Sequence, residues 1–332
     1  MSREFDTITL LSPSGAILEE ARLKLAIERL AAYDLPLIEP ANTRLRHQRF
    51  AGTDTQRIAA LETAMGLPQT SLIVCTRGGY GLTRILGDLP LPKLASHLNH
   101  YEHCLVGHSD VTVLQLALLA QGAQPYTLLH GPMACFDFGE PNCTAEITQQ
   151  AFDEAVWQGH VGIDWHMPGS DIFTLRHNSL SLAGPVWGGN LAMICSLLGT
   201  PWQPDFHNGI LILEDVNEPL YKVERMLLQL MQAGILANQQ ALALGQFGDF
   251  RANTHDTNYT FAHVQELVQT RTGVPVLSGF PFGHCHPKVC WFQGGQGLLE
   301  VKPRQAAPLT SATAAAAHPG WTCSLHQSVL PD

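Results

Sequence analysis

Short apolar runs alternate with helix-period segments over the first 135 residues, and this alternation limits the chain to few folds. Thr7–Leu11 is an apolar run that ends in the turn Ser12-Pro13-Ser14-Gly15. Ile17–Tyr33 carries Ile17, Leu18, Ala21, Leu25, Ile27 and Leu30 at helical spacing. Leu35–Ile38 reads as a strand, and Thr53 to Met65 as a helix with Thr53 and Gln56 spaced as a capping box. Leu72–Cys75 and Cys104–Val106 read as strands, the second leading into a helix over Asp110–Ala120. Strands alternating with helices imply right-handed crossovers and a largely parallel sheet. Ligands of such sheets sit outside the carboxyl ends of the strands, where the loops at 77–81 and 107–110 fall.

A helix near Thr144–Gln158 follows, and then the texture changes. Gly159 to Pro185 is rich in Gly, Pro, Ser, Asn and His and has no helical periodicity. The expected division is an N-terminal α/β domain over 1–160, a linker over 161–184 and a C-terminal domain over 185–303. A weakly ordered Ala/Ser/Thr/Pro-rich tail is expected over 304–332. The length of 332 residues agrees with two domains. In the second half Gly209–Leu213, Ala241–Gly245, Val289–Phe292 and Gly297–Val301 read as strands. Pro219–Ala233, ended by Gly234, and Phe261–Thr270 read as helices.

Composition excludes several classes of partner. With 19 Lys and Arg against 29 Asp and Glu, the net charge is −10, which argues against nucleic acid and against a polybasic membrane-surface binder. Hydrophobic residues make up 45%, enough for real cores. Charged residues are only 14%, so the surface relies on uncharged polar side chains or is partly buried in a subunit contact. The uncharged stretches Val111–Phe136 and His177–Pro204 are interrupted by Gln, Gly, Pro and Asn and are not bilayer spans. The N-terminus lacks a signal pattern. Eight scattered cysteines with no CxxC pair read as reduced thiols of a cytoplasmic protein. His284-Cys285-His286 with Cys290 fits no standard zinc spacing, so no metal is expected.

Four places can carry chemistry. Val106-Gly107-His108-Ser109-Asp110-Val111 runs from an apolar strand through Gly-x-Ser straight into a helix, like a nucleophile elbow without its last Gly. The Asp110 amide would then face an oxyanion. On spacing alone, Ser109 as a plain N-cap is the simpler reading. Leu211-Ile212-Leu213-Glu214-Asp215 is an apolar strand ending in two acids. Helix capping explains Glu218 before Pro219 well and Glu214 poorly. His284 follows the turn-rich Gly279–Gly283 and ranks above His108 as a base, although an exposed loop histidine is the simpler reading. Arg77-Gly78-Gly79-Tyr80-Gly81 is a tight turn or an oxyanion donor. It is not a P-loop, and no G-x-G-x-x-G follows the first strand, so no cofactor is expected.

Eight stretches in order over about residues 6–302 resemble the serine L,D-carboxypeptidases, the muramoyltetrapeptide carboxypeptidases of murein recycling. They are Ser12–Gly15, Ala51–Asp54, Arg77–Gly81, Gly107–Asp110, Gly131–Met133, Gly188–Leu191, Leu213–Asp215 with Arg225–Leu227, and Phe282–His284. The resemblance implies Ser109 as nucleophile, His284 as general base and Glu214 as the acid that orients it. It implies an oxyanion hole from the Asp110 amide and one amide of the Gly-rich loop, placed at Gly79. Arg77 is a candidate for the substrate carboxylate on charge and location. The implied fold is a flavodoxin-like N-terminal α/β domain with a β-rich swivelling C-terminal domain, in a homodimer. The implied reaction releases the terminal D-alanine from murein tetrapeptide, at the L-centre of meso-diaminopimelate, with no cofactor. A microcin C immunity-type peptidase acting on aminoacyl- or peptidyl-adenylates, and a non-catalytic small-ligand binder, are the competing readings.

Overall fold

The computed structural model describes residues 3–142, 145–167, 179–248, 255–304 and 320–329. Five short parallel strands open the chain: β1 (Thr7–Leu11), β2 (Leu37–Ile38), β3 (Ser71–Cys75), β4 (Cys104–Gly107) and β5 (Leu128–His130). Their spatial order is β2-β1-β3-β4-β5, the flavodoxin-like order, whose ligand crevice lies where the winding reverses between β1 and β3. Both faces are covered. Ile8, Leu10, Leu72 and Val74 point into one apolar cluster, and the intervening Leu11, Ile73 and Cys75 into the other. Alternation with neither face open to water is what a strand buried on both sides shows, and the Thr9 and Ser71 hydroxyls on the second face pair with each other at 2.8 Å. The helices Asp54–Met65, Leu91–His100 and Val111–Ala120 cover one face. Glu20–Leu30 and Ala145–Gln158 cover the other. The capping box at Thr53 and Gln56 forms as its spacing predicts.

Among the described residues eight further strands follow: β6 (His160–Met167), β7 (Leu180–Asn190), β8 (Gly209–Val216), β9 (Gln239–Gly248), β10 (Val276–Leu277), β11 (Trp291–Phe292), β12 (Gly295–Pro303) and β13 (Trp321–Ser328). Seven of them form a mixed sheet in the order β10-β9-β8-β7-β12-β13-β6. The β7–β10 half is parallel, and the β12, β13 and β6 half is antiparallel. A parallel-sheet domain followed by a β-rich one is the architecture expected from the sequence.

Three expectations need correction. The segment read as a linker over 161–184 holds most of β6 and the start of β7, because alternating Val161, Ile163, Trp165 and Met167 bury one face of a strand. Residues 168–178 of that segment lie outside the described residues. The segment read as a weak tail from 304 supplies β13, inserted between β12 and β6, with Trp321, Cys323 and Leu325 buried. Residues 305–319 and 330–332 of it lie outside the described residues. Third, the strand read at Val289–Phe292 is β11, which leaves the second half and pairs antiparallel with β5 of the first sheet. Among the described residues no helix is long and apolar enough to cross a membrane.

Candidate active site

β4 delivers the chain into a sharp turn. Gly107 is closely packed, since a Cβ there would stand 3.1 Å from Cys75 and Val111 and push them back by a few tenths of an ångström. Ser109 then takes φ of +61°, a left-handed conformation that a non-glycine residue adopts only under constraint. The helix begins at Val111 with Asp110 as its N-cap position, so Ser109 is not the cap. The strained strand-to-helix turn has the form of a nucleophile elbow. The Asp110 carboxylate, fully buried, ties the turn to its neighbours. Its Oδ2 accepts from Ser14 Oγ at 2.5 Å and from the Leu82 N–H at 2.9 Å. Burial raises this acid above its ordinary range.

The second half brings two side chains to that turn. Glu214 lies at the carboxyl end of β8, paired in register with Asn190 of β7. Asn190 Nδ2 donates to Glu214 Oε1 at 3.3 Å and to Asp215 Oδ1 at 3.2 Å, while its Oδ1 caps the next helix through the Met193 N–H. Asp215 is burdened by burial and by the neighbouring Glu214 charge, which push its pKa up to about 6. The loop before His284 lies along the end of β9: Phe280 N–H donates to Leu244 O at 3.1 Å, and Gln246 N–H to Phe282 O at 2.7 Å. That hold sets His284 beside Glu214, one strand away. His284 Nδ1 is 2.9 Å from Glu214 Oε2, and its Nε2 is 3.2 Å from Ser109 Oγ. Glu214 is wholly buried. Burial alone would raise its pKa, but the His284 hydrogen bond and charge, with help from His108 and Lys288, bring it below its ordinary range. Three groups separated by 105 and 70 residues thus form one hydrogen-bonded chain, hydroxyl to imidazole to carboxylate.

The Gly-rich loop forms the opposite wall. A Cβ on Gly78 would stand 2.9 Å from Ser109 Oγ and 3.2 Å from the Asp110 nitrogen. Gly79, at φ of +108°, turns the backbone along the same space. Gly15 N–H donates to Gly78 O at 3.2 Å, and the buried Arg57 bridges Pro13 O at 3.0 Å and Gly81 O at 2.8 Å, so the first loop holds the third in place. The cleft so enclosed has a volume of about 350 Å³ and is lined by Arg77, Gly79, Ser109, Asp110 and His284. Half-buried Arg77 donates to Ala16 O at 2.9 Å, and burial pulls its pKa down. Its guanidinium also borders an adjoining groove of about 240 Å³ lined by Ile17, Leu18, Arg22 and Phe136. Five of the six site residues expected from the sequence line this cleft, and the sixth, Glu214, lies buried behind it on His284.

His108, the lower-ranked base, points away from Ser109 into the interior. Burial first, and the charge of Lys288 second, push its pKa down to about 4. Its Nε2 lies 2.8 Å from Lys288 Nζ. Lys288 and Asp137 are buried beneath the cleft, and the sequence singled out neither. The one available signal was a lone Lys four residues after His284 in a segment otherwise free of acids and bases other than His. Among the described residues no group of three or more His, Cys, Asp or Glu side chains is arranged to hold a metal ion.

Comparison with known proteins gives the family of the chain. Residues 8–130 match the LD-carboxypeptidase N-terminal domain, and residues 183–299 the LD-carboxypeptidase C-terminal domain. A putative carboxypeptidase of Synechocystis is 33% identical over 285 residues, covering 84% of this chain and 86% of the relative. The murein tetrapeptide carboxypeptidase of Pseudomonas aeruginosa is 28% identical over 299 residues, 88% of this chain and 92% of that one. The crystal structure of muramoyltetrapeptide carboxypeptidase from Oxalobacter formigenes superposes with a TM-score of 0.81 at 33% identity, covering 98% of this chain and all of that one. The structure of MccF, in complex with glutamyl sulfamoyl guanosine, shares the fold at a TM-score of 0.74 and 22% identity, over 88% of this chain and 92% of that one. With both family domains matched in order around a single cleft, the chain belongs to the LD-carboxypeptidase family and is a hydrolase.

Proposed function

We propose that the protein is a serine L,D-carboxypeptidase that releases the terminal D-alanine of murein tetrapeptide during peptidoglycan recycling, as a cytoplasmic homodimer. The observation that carries this reading is the unbroken chain from Ser109 Oγ to His284 at 3.2 Å and on to buried Glu214 at 2.9 Å. Glu214, ionised and buried, fixes the proton of His284 on Nδ1 and leaves Nε2 free to accept. His284 takes the proton of Ser109 as Oγ attacks the carbonyl of the L-centre of meso-diaminopimelate. The oxyanion is received by the N–H groups of Asp110 and Gly79, and Asp110 also sits at a helix start. His284 then gives its proton to the departing amine of D-alanine. Water, deprotonated by the same imidazole, attacks the acyl-enzyme and frees the tripeptide and Ser109. Arg77, which has its guanidinium at the cleft wall, receives the carboxylate of the leaving residue.

Free thiols throughout the described cysteines fit a reducing compartment. The names of the Pseudomonas and Oxalobacter relatives support a tetrapeptide substrate. An adenylate-cleaving activity of the microcin immunity type would use the same three groups, and the shared fold and a 23% identical microcin C7 self-immunity protein of Escherichia coli give it weaker support. Purified protein is assayed for D-alanine release from the tetrapeptide and for cleavage of an aminoacyl-adenylate analogue. The expected result is D-alanine release that Ser109→Ala reduces by at least ~10³-fold. Normal turnover in Ser109→Ala refutes the nucleophile. Cleavage of the adenylate analogue alone refutes the substrate.

A further inference from the structure

Beneath the cleft a single ammonium touches both halves of the site. Lys288 Nζ has three N–H donors. One donates to Gly283 O at 2.5 Å, one to His108 Nε2 at 2.8 Å, and the third faces Asp137 Oδ1 at 3.4 Å. Gly283 immediately precedes His284, and His108 immediately precedes Ser109. Asp137 Oδ2 accepts the Met133 N–H at 2.7 Å and lies 3.4 Å from His108 Nε2. The rings of Phe136 and Phe282 face Nζ at 5.1 and 5.0 Å and keep water from it. The Phe136 ring also packs edge-on to His284 at 5.7 Å. Lys288 and Asp137 side chains are both wholly buried.

We propose that Lys288 is a positioning residue that holds the Ser109 turn and the His284 loop at one fixed spacing. The assignment rests on the reading of Ser109 and His284 given above. Burying a charge pair costs desolvation that an apolar contact avoids, so this pair adds little to stability over a well-packed alternative. What it supplies is geometry. A carbonyl from the base loop and an imidazole from the nucleophile turn are fastened to one atom, across 180 residues of sequence. Neither partner touches the reacting atoms, so the lock acts through backbone placement. Misplacement of a reacting group by about 1 Å costs on the order of 100-fold in rate.

The test is the double variant Lys288→Met with Asp137→Asn. It removes both buried charges, keeps volume, and leaves an oxygen for the Met133 N–H. Lys288→Met alone would strand Asp137 without its counter-ion and melt early, so it is not the decisive variant. Lys288→Arg is the second variant: it keeps a cation for Asp137 but cannot reproduce the three-way contact. The expected result for both is a melting temperature near wild type, KM within about twofold, and kcat lower by roughly 10- to 100-fold. A folded double variant with wild-type kcat overturns the assignment. So does an Arg variant with raised KM and unchanged kcat. Ser109→Ala is run beside them, because retained turnover there would sink the catalytic reading itself rather than the role of Lys288.

Discussion

Replacing Gly78 by Ala adds one methyl group at the point where the proposed oxyanion and the attacking hydroxyl meet. Gly78 is not among the positive-φ glycines, so Ala fits its backbone without strain in φ. The new Cβ would stand 2.9 Å from both Ser109 Cβ and Oγ, closer than real Cβ atoms approach a heavy atom, and 3.2 Å from the Asp110 nitrogen. Either Ser109 rotates away from His284 or the loop retreats and carries its amide with it. Each outcome forfeits about one oxyanion donor or the hydroxyl–imidazole bond. The expected fall in kcat is therefore about 10²–10³-fold, equivalent to about 2.7–4 kcal/mol of transition-state stabilisation. Stability moves by less than about 1 kcal/mol, since the entropy lost from the unfolded chain on Gly→Ala offsets the local crowding. D-alanine release gives kcat and KM, and urea denaturation gives stability. Gly248→Ala is the control, because a Cβ at Gly248 meets nothing within 4 Å. A Gly78→Ala enzyme with turnover within about twofold of wild type would refute the placement of the oxyanion beside Gly78.

Glu214→Gln keeps the shape of the acid and removes the charge proposed to fix the His284 tautomer. With Glu214 Oε2 at 2.9 Å from His284 Nδ1, kcat should fall by about 10⁴-fold with little change in KM, and a loss under about tenfold counts against the orienting role. His103, buried beneath β3, has its pKa pushed down to about 4, chiefly by burial, and its Nδ1 accepts the Ser71 N–H at 3.0 Å. Its folded pKa lies below the unfolded value, so the unfolded chain binds the extra proton. Stability from this residue is full above about pH 6.5 and is lost as pH falls toward 4, by up to about 3 kcal/mol. His103→Asn, whose side-chain oxygen can accept from Ser71, should flatten that part of the stability profile in urea titrations from pH 7 to 4. An unchanged slope would place the acid sensitivity elsewhere.

Local pattern made the first domain legible. Its strands are buried on both faces and its helices carry apolar faces at helical spacing, so each segment announces itself, and the Thr53–Gln56 box forms where its spacing puts it. The proposed triad was legible only through motif order. Spacing alone favoured Ser109 as a cap, and what decides against it is a backbone angle of +61°, which no residue count reveals. Contacts set by long-range topology were hidden. β11 is two residues long and takes its partner from a sheet built some 160 residues earlier. β13 follows a low-complexity stretch whose composition masked the alternation of Trp321, Cys323 and Leu325. The Lys288–Asp137 pair was hidden for a further reason: a buried charge pair is a tertiary event, and apart from the isolation of Lys288 in its segment no sequence context marks it.

The return of β11 to β5 has a consequence for anyone who would cut the gene in two. Trp291 and Phe292 complete the edge of a sheet encoded upstream and sit in its apolar interior, with Trp291 packed 4.4 Å from the ring of His130. A fragment ending after β5 would expose that edge to water and to other chains, and a fragment starting at β7 would carry an orphaned aromatic pair. The two halves are best regarded as a single woven fabric, and modular swapping between relatives should move the whole weave or none of it.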